Sequence, residues 1–159
     1  MTSRAATDRW RQLDARHHFH PFTVFPELEA KGSRIITAAE GCHIVDSEGN
    51  RIIDGMAGLW CVNVGYGRER LARVAYEQLL ELPYYNAFFQ TATGPAVELA
   101  AKLAEILPEG MNRLFYASSG SEANVTIVKS VWYYWNLMGR PEKKHFVSRT
   151  LGYHGVGLG

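Results

Sequence analysis

Cysteine is scarce in this sequence: Cys42 and Cys61 are the two cysteines among 159 residues, and neither lies in a C-x-x-C pattern. Two cysteines are too few for the disulfide framework of a small secreted domain. The first ten residues also lack the apolar core of a signal peptide. We therefore expect the protein to reside in a reducing compartment, the cytoplasm.

An excess of charge of one sign is also absent. Lys and Arg total 17 and Asp and Glu total 16, so the net charge is +1, and the sequence has no basic block. A nucleic-acid partner is therefore not expected. Long apolar runs are missing as well, since the longest, residues 56–64, is interrupted by glycine. A membrane span needs roughly 20 apolar residues, so no membrane partner is expected.

The composition that remains is that of an ordinary globular protein. Hydrophobic residues make up 47% and charged residues 21%, which excludes intrinsic disorder. The length fits one domain, or one domain with a fragment of another. A chain of this length can bury roughly two-thirds of the surface that it exposes when unfolded, so a hydrophobic core is expected.

The first part of the chain is predicted to be an arm followed by a small antiparallel meander. The arm covers residues 1–33, with a short helix over 8–16. Turn chemistry at residues 47–50 separates short β-rich runs. The predicted strands are residues 34–37, 43–46 and 51–54.

Two amphipathic helices are predicted next, over residues 69–82 and 95–107, and each is ended by a proline. The apolar run 113–117, a helix from Gly120 to about Met138 and the run 144–148 then form a predicted strand–helix–strand unit. Such a unit indicates a parallel sheet and an α/β fold. Two parallel strands are not a stable sheet, so we expect this chain to be the N-terminal part of something longer.

A candidate anion site lies where the first of these strands meets its helix. Ser119 and Glu122 have the spacing of a capping box, which places the helix start near Gly120. The N–H groups of Gly120 and Ser121 are then unpaired at the positive end of the helix dipole, and the Ser121 hydroxyl adds a donor. A phosphate or carboxylate is expected there. The alternative is a well-capped helix without a ligand.

A second candidate site is the glycine-rich turn at residues 152–155, after the next strand. Ligands of open α/β sheets bind at the carboxyl ends of the strands, and both turns fall at that edge. Tyr153 could therefore stack on a planar ligand whose phosphate rests on Gly120 and Ser121. Taken alone, Tyr153 is better explained by ordinary packing; the neighbouring anion site favours a ligand.

These motifs together resemble the class III pyridoxal-phosphate aminotransferases of fold type I. The resemblance begins with residues 119–124 and 152–155 and covers nearly the whole chain from about Trp10. Further matches resemble the ω-transaminase branch, the amine:pyruvate and β-alanine:pyruvate enzymes. They are residues 46–67, 82–86 and 88–90.

The resemblance implies a set of residue roles. Gly120 and Ser121 would bind the phosphate of pyridoxal 5'-phosphate, and Tyr153 would stack on its ring with His154 in the adjoining turn. The substrate pocket would be lined by the aromatic residues Tyr153, Phe22, Trp60, Phe88 and Phe89. Phe88 and Phe89 would reach the pocket across a homodimer interface.

The resemblance also implies a domain division and an activity. Residues 1–58 would be the N-terminal arm and small-domain segment, and residues 59–159 an incomplete first part of the large, cofactor-binding domain with a mainly parallel sheet. The complete enzyme would move an amino group between an amine or ω-amino acid and a keto acid such as pyruvate.

The sequence departs from the family pattern at three positions near the cofactor motifs. Ala117, Val125 and Val156 stand where the family usually has polar residues, which puts cofactor affinity in question. The family's Schiff-base lysine is expected beyond this chain, so no catalytic residue is assigned here and the chain alone is expected to be inactive. The alternative is a truncated, non-catalytic chain that binds phosphate or the cofactor weakly, or only associates with a partner.

Three histidines in the arm, His17, His18 and His20, are the remaining cluster of chemically capable residues. No cysteine accompanies them in a metal-ligand pattern, so solvated or packed histidines are expected and no metal is assigned.

Overall fold

The computed structural model describes residues 3–158. Residues 1 and 2 of the predicted arm, and Gly159 at the end of the glycine-rich segment, lie outside the described residues. Contacts divide the chain between Tyr84 and Tyr85 into two compact units. This division by contacts differs from the predicted domain boundary after residue 58, which stays a prediction.

The first unit holds four helical segments and three strands. Its elements in chain order are α1 (Arg4–His17), α2 (Phe25–Lys31), β1 (Ile36–Glu40), β2 (His43–Asp46), β3 (Arg51–Ile53), the single turn α3 (Ala57–Trp60) and α4 (Glu69–Glu81).

The three strands form an antiparallel sheet in the order β1-β2-β3, which confirms the predicted meander. The β2–β3 turn is fixed by Asp46, whose Oδ1 accepts hydrogen bonds from the N–H groups of Glu48 at 3.0 Å and Asn50 at 2.9 Å. This is the Asx geometry that favours Asp before a turn. The sequence predicted that the first strand begins at residue 34, whereas β1 begins at Ile36.

Local signals account for the helices of this unit. Helix α1 is longer than predicted because Ser3 caps it, its hydroxyl accepting from the Ala6 N–H. Helix α2 was not predicted, although Pro26 in its first turn is a residue that favours a helix start. Helix α4 matches its predicted span except at its last residue.

The second unit contains α5 (Gly94–Ala104) and α6 (Gly120–Leu137). The predicted strands at residues 113–117 and 144–148 are wrong for this structure, because neither segment has strand geometry among the described residues. A strand is stabilised by the hydrogen bonds of its neighbours, and two parallel strands alone supply too few. The predicted parallel sheet is therefore not formed within residues 3–158.

The expected hydrophobic core is also missing, since no hydrophobic residue within the described range is buried. Apolar residues on the faces of α4 and α6, such as Leu71, Val74 and Ile127, remain exposed. Helix amphipathicity was correctly predicted, but burial needs a surface to pack against. None of the described helices is long and apolar enough to cross a bilayer.

Candidate functional site

The start of α6 is capped by side chains as the sequence predicted. The Ser119 hydroxyl accepts a hydrogen bond from the Glu122 N–H at 3.2 Å. The Glu122 carboxylate in turn accepts from the Ser118 N–H at 2.9 Å, one residue before the cap. One of the helix's orphan N–H groups, that of Glu122, is thus satisfied, and the bond from Ser118 fixes the chain direction into α6.

The next N–H groups of the helix remain available. Within residues 3–158, neither the Gly120 nor the Ser121 N–H donates to a hydrogen-bond partner. A Cβ added at Gly120 would have no heavy atom within 4 Å, so the approach to this end is open. Helix α6 is 18 residues long, and its dipole favours an anion at these two donors.

The second glycine motif packs directly on this helix end. The Asn124 side-chain amide donates to the His154 carbonyl at 2.7 Å, and the Val156 N–H donates to Ser121 Oγ at 3.3 Å. Because Ser121 Oγ accepts from Val156, its own hydrogen is left to donate elsewhere. The sequence predicted that the two motifs would meet at a sheet edge; these two hydrogen bonds join them without a sheet.

Gly155 makes this close approach possible. Its φ is +115°, and a Cβ built on it would lie 2.8 Å from Ser121 Cα and from Ser121 Oγ. Both observations exclude a side chain at this position. Tyr153, two residues earlier, is 67% exposed beside this contact.

A cleft of about 510 Å³ opens beside the start of α6. The three positions that depart from the family pattern all line it, as do Ser119 and Ser121. They are Ala117, Val125 and Val156. These departures make part of the cleft wall apolar. Its polar side chains are those of Tyr116, Ser118, Ser119, Ser121, Glu122 and Thr126.

The aromatic loop that carries Phe88 and Phe89 belongs to the same unit. Asn86 holds it, with Oδ1 accepting from the Phe88 N–H at 2.9 Å and the carbonyl accepting from the Thr91 hydroxyl at 3.0 Å. Phe89 and Gln90 both have positive φ, 57° and 66°. Both phenylalanine rings are exposed and lie 6.2 Å apart. A strained turn thus presents apolar rings to the surroundings.

Trp60 lies in the first unit, at the end of an unusual turn. In α3 the residues Ala57, Gly58, Leu59 and Trp60 have φ of 49°, 60°, 62° and 65°, a left-handed helical turn. L-residues rarely adopt this conformation because Cβ approaches the following carbonyl. The Trp60 ring is exposed.

Asp54 and Tyr66 stabilise this strained turn. The Asp54 carboxylate accepts from the Gly58 N–H at 2.7 Å, the Met56 N–H at 3.2 Å and the Tyr66 hydroxyl at 2.7 Å. These bonds, that of Tyr66 first, lower the pKa of Asp54 below its usual value, and Asp54 raises the pKa of Tyr66. The sequence did not single out either residue.

Phe22 also lies in the first unit, where its φ is 50° and its ring is exposed. It follows the arm histidines, two of which contact Asp14. His18 Nδ1 lies 2.8 Å from Asp14 Oδ1, and His20 Nε2 lies 2.9 Å from both Asp14 oxygens. The three arm histidines were expected to be solvated or packed. His18 and His20 instead pair with the Asp14 carboxylate.

Four of the five lysines of the chain have partners. Lys31 pairs with Glu27 and Lys102 with Glu105. Lys143 lies over the ring of Trp135, and Lys144 donates to the Asn136 side chain. Lys129 is exposed on α6, nine residues after Gly120, which at 1.5 Å per residue is about 13 Å along the helix.

The family of the chain follows from its similarity to known proteins. Residues 26–159 match the family described as Aminotransferase class-III, and the chain belongs to that family. Class III aminotransferases use pyridoxal phosphate.

Individual relatives extend the comparison. The putrescine–pyruvate aminotransferase of Pseudomonas aeruginosa is 56% identical over 151 residues, 95% of this chain and 33% of that protein. An (S)-enantioselective omega-transaminase from Thermomicrobium roseum superposes with a TM-score of 0.91 at 41% identity, over 98% of this chain and 34% of that one. An omega-transaminase from Pseudomonas jessenii in complex with PMP superposes with a TM-score of 0.88 at 41% identity, over 91% of this chain and 32% of that one.

Two conclusions follow from these similarities. The fold class is α/β, and the solved structures that resemble the chain are fold type I transaminases, as the sequence motifs predicted. The chain spans about a third of the length of the relatives that it matches.

Proposed function

We propose that this chain supplies the phosphate-binding end of the pyridoxal 5'-phosphate site in a transaminase. The observation that carries the proposal is the docking of the 154–157 segment on the start of α6, beside two unpaired N–H groups. That arrangement offers a phosphate two backbone donors, the Ser121 hydroxyl and the positive end of the helix dipole.

The residues present fit the phosphate of the cofactor. The open approach at Gly120 leaves room for an anion, and the Ser121 hydroxyl keeps a free hydrogen after accepting from Val156. We assign Tyr153 to stack on the cofactor ring, with His154 in the adjoining turn. The Glu122 carboxylate, which would repel a phosphate, is held instead by the Ser118 N–H.

Pyridoxal phosphate, when bound, supplies the aldehyde and the electron-withdrawing ring on which amino-group transfer takes place. This chain's own residues would bind and orient it: the α6 donors fix the phosphate, and the Tyr153 ring restricts the tilt of the pyridine. Fixing a ligand at two ends lowers the entropic cost of reaching a reactive geometry. Trp60, Phe22, Phe88 and Phe89 would provide apolar surface around the substrate.

We further propose that the lysine that bonds to the cofactor aldehyde is not among the five lysines of this chain. Such a lysine needs a desolvated amine in contact with the aldehyde. Four of the five have the partners described above, and Lys129 is about 13 Å along the helix from the phosphate donors. This chain alone is therefore proposed to be inactive, as part of a longer enzyme.

The substrate class is proposed from the relatives. The name of the relative from Pseudomonas aeruginosa gives putrescine and pyruvate as its substrates, which favours an amine or ω-amino acid as donor and pyruvate as acceptor. Assay of the complete protein with a diamine and pyruvate, with 2-oxoglutarate as the competing acceptor, tests this assignment. Equal or better activity with 2-oxoglutarate would contradict the choice of pyruvate.

A homodimer is part of the same proposal. Exposed apolar residues such as Tyr84, Phe89, Tyr133 and Leu137, together with the missing core, leave more apolar surface than monomers usually expose. Light scattering at tens of micromolar should show self-association of the chain. A monodisperse monomer at that concentration would count against it. The cytoplasmic location remains an expectation from the two free cysteines.

The second candidate function is a non-catalytic chain that binds phosphate or cofactor weakly, favoured by the apolar residues at Ala117, Val125 and Val156. Titration of the 15N-labelled chain with inorganic phosphate and with pyridoxal phosphate separates a real site from a helix cap. Both ligands should shift the Gly120 and Ser121 amide signals. A lost hydrogen bond to a charged group costs about 1.5–3 kcal/mol, so Ser121→Ala should weaken both ligands about tenfold or more.

Two further variants complete the test. Ser130→Ala, on the same helix but remote from the N-terminus, is the matched control and should bind both ligands like wild type. Tyr153→Ala should weaken the cofactor and spare inorganic phosphate, which has no ring to stack. If neither ligand perturbs the Gly120 region, α6 has only a capped end and the proposal is wrong.

A further inference from the structure

The end of α1 and the segment after it bring three metal-ligating side chains together. Asp14, His18 and His20 each offer one ligand atom, and these atoms all lie within 4.8 Å of one another. His18 Nδ1 is 2.8 Å from Asp14 Oδ1, His20 Nε2 is 2.9 Å from it, and the two rings are 4.2 Å apart. This cluster lies outside the proposed cofactor site.

We propose that Asp14, His18 and His20 form a binding site for a divalent transition-metal ion of the Zn²⁺ class. Two imidazole nitrogens and one carboxylate are the ligand set of open zinc sites, in which water completes the coordination. Ligand atoms held about 2.0–2.1 Å from a tetrahedral zinc ion lie about 3.3 Å apart. The two nitrogen–oxygen distances, 2.8 and 2.9 Å, are somewhat shorter, and all three ligand atoms lie within 4.8 Å of one another, so small side-chain movements would bring them to that spacing.

The charge and exposure of the three residues suit this role. The Asp14 and His20 side chains are 14% and 22% exposed, whereas His18 is 62% exposed. The cluster is therefore partly covered, and solvent reaches it at His18. The pKa of Asp14 is lowered to about 2, so the ligand is charged at neutral pH.

Ser33 is the largest cause of that lowered pKa, followed by the opposing effect of burial and then by the histidines. The Ser33 hydroxyl is buried and makes no regular hydrogen bond within the described residues. The Ser33 hydroxyl therefore acts on the Asp14 carboxylate as a nearby dipole.

Sequence proximity favours binding further. All three ligands lie within residues 14–20, so chelation closes only a short loop and costs little chain entropy. His17, in the same stretch, is exposed and does not belong to the cluster. A bound ion would fix the segment that leads into Phe22, two residues after His20. The proposal does not depend on the proposed cofactor function.

The test is titration of the chain with Zn²⁺ alone by calorimetry, followed by Co²⁺ as a spectroscopic probe. One equivalent should bind with micromolar affinity, and the His18 and His20 ring signals should shift together in NMR spectra. His20→Ala and Asp14→Asn should each weaken binding at least about tenfold. His17→Ala is the matched control and should bind like wild type.

A folding defect is distinguished by a second variant and a second measurement. His18→Ala alters the most exposed of the three ligands and should also lose affinity, while circular dichroism should show α1 unchanged. Absence of saturable Zn²⁺ binding to the wild type overturns the proposal. Loss of binding in His17→Ala together with retention in His20→Ala overturns it equally.

Discussion

Replacement of Gly155 by alanine tests whether the two glycine motifs form one site. The added Cβ would lie 2.8 Å from Ser121 Cα, a backbone atom that cannot rotate away. The backbone at φ +115° is also one that essentially only glycine adopts. The 154–157 segment must therefore move off α6, and the bonds from Asn124 to the His154 carbonyl and from Val156 to Ser121 must break.

The size of the effect follows from these contacts. Strain of this kind destabilises the docked segment by about 1–3 kcal/mol. The ratio of docked to undocked segment should therefore fall about 5-fold to 150-fold. Pyridoxal phosphate should bind correspondingly more weakly because Tyr153 moves away, whereas inorganic phosphate should bind nearly as well because the α6 donors remain.

The assay is titration of the 15N-labelled chain with both ligands, with the Asn124 side-chain amide as the reporter of docking. Gly94→Ala is the matched control, since a Cβ there meets nothing within 4 Å and the backbone is not in the positive-φ region. Wild-type shifts at Asn124 and Val156 together with wild-type cofactor affinity in Gly155→Ala would refute the reasoning. Equal weakening of both ligands would mean that α6 itself had been disturbed.

Three further outcomes are expected. Tyr66→Phe removes the largest cause of the lowered pKa of Asp54, so that pKa should rise in a carbon-detected NMR titration. Tyr76→Phe should leave the pKa of Asp54 unchanged, and an unchanged value in both variants would contradict the assigned effect of the Tyr66 hydrogen bond. The pKa of Asp14 is lowered from 3.8 to about 2, which stabilises the folded chain above pH 4, and this stabilisation disappears as the pH falls towards 2. In urea unfolding, the free energy of unfolding of the wild type should therefore fall between pH 4 and pH 2, and that of Asp14→Asn should fall less. Borohydride treatment with pyridoxal phosphate should label no single lysine stoichiometrically, and mass spectrometry that finds Lys129 fully labelled would contradict the proposed lysine assignment.

The helices were largely predictable because their determinants are local. The Ser119–Glu122 pair marks the start of α6 through bonds that span three and four residues, and the Asp46 turn works over two to four. Such bonds depend on residue types at fixed spacing, so a sequence displays them directly. Helix α2 has a weaker start signal, since Pro26 lies in its first turn but the N-cap residue Val24 makes no side-chain cap hydrogen bond.

The failed predictions concern features that need neighbours. Residues 113–117 and 144–148 have the apolar composition of strands, but strand geometry requires hydrogen bonds from adjacent strands, and residues 3–158 provide none. The helices α4 and α5 were predicted as amphipathic, yet burial of their apolar faces requires packing surfaces that the described residues do not offer. Composition and periodicity indicate which secondary structure a segment prefers, but they do not show whether a neighbouring strand or packing surface is present.

The cap of α6, the meander and the family could be predicted from the amino-acid sequence, because they rest on short-range hydrogen bonds and on motifs at fixed spacing. Which distant residues meet depends on the folded chain. Asn124 and the His154 carbonyl are 30 positions apart, and Gly155 fits against Ser121 through a backbone torsion that no spacing encodes. The left-handed turn before Trp60 and the Asp14–His20 contact likewise depend on torsions and approach distances. Torsions and approach distances are set only when the chain folds. The site residues could therefore be proposed from the sequence, but the residues that contact and orient them could not.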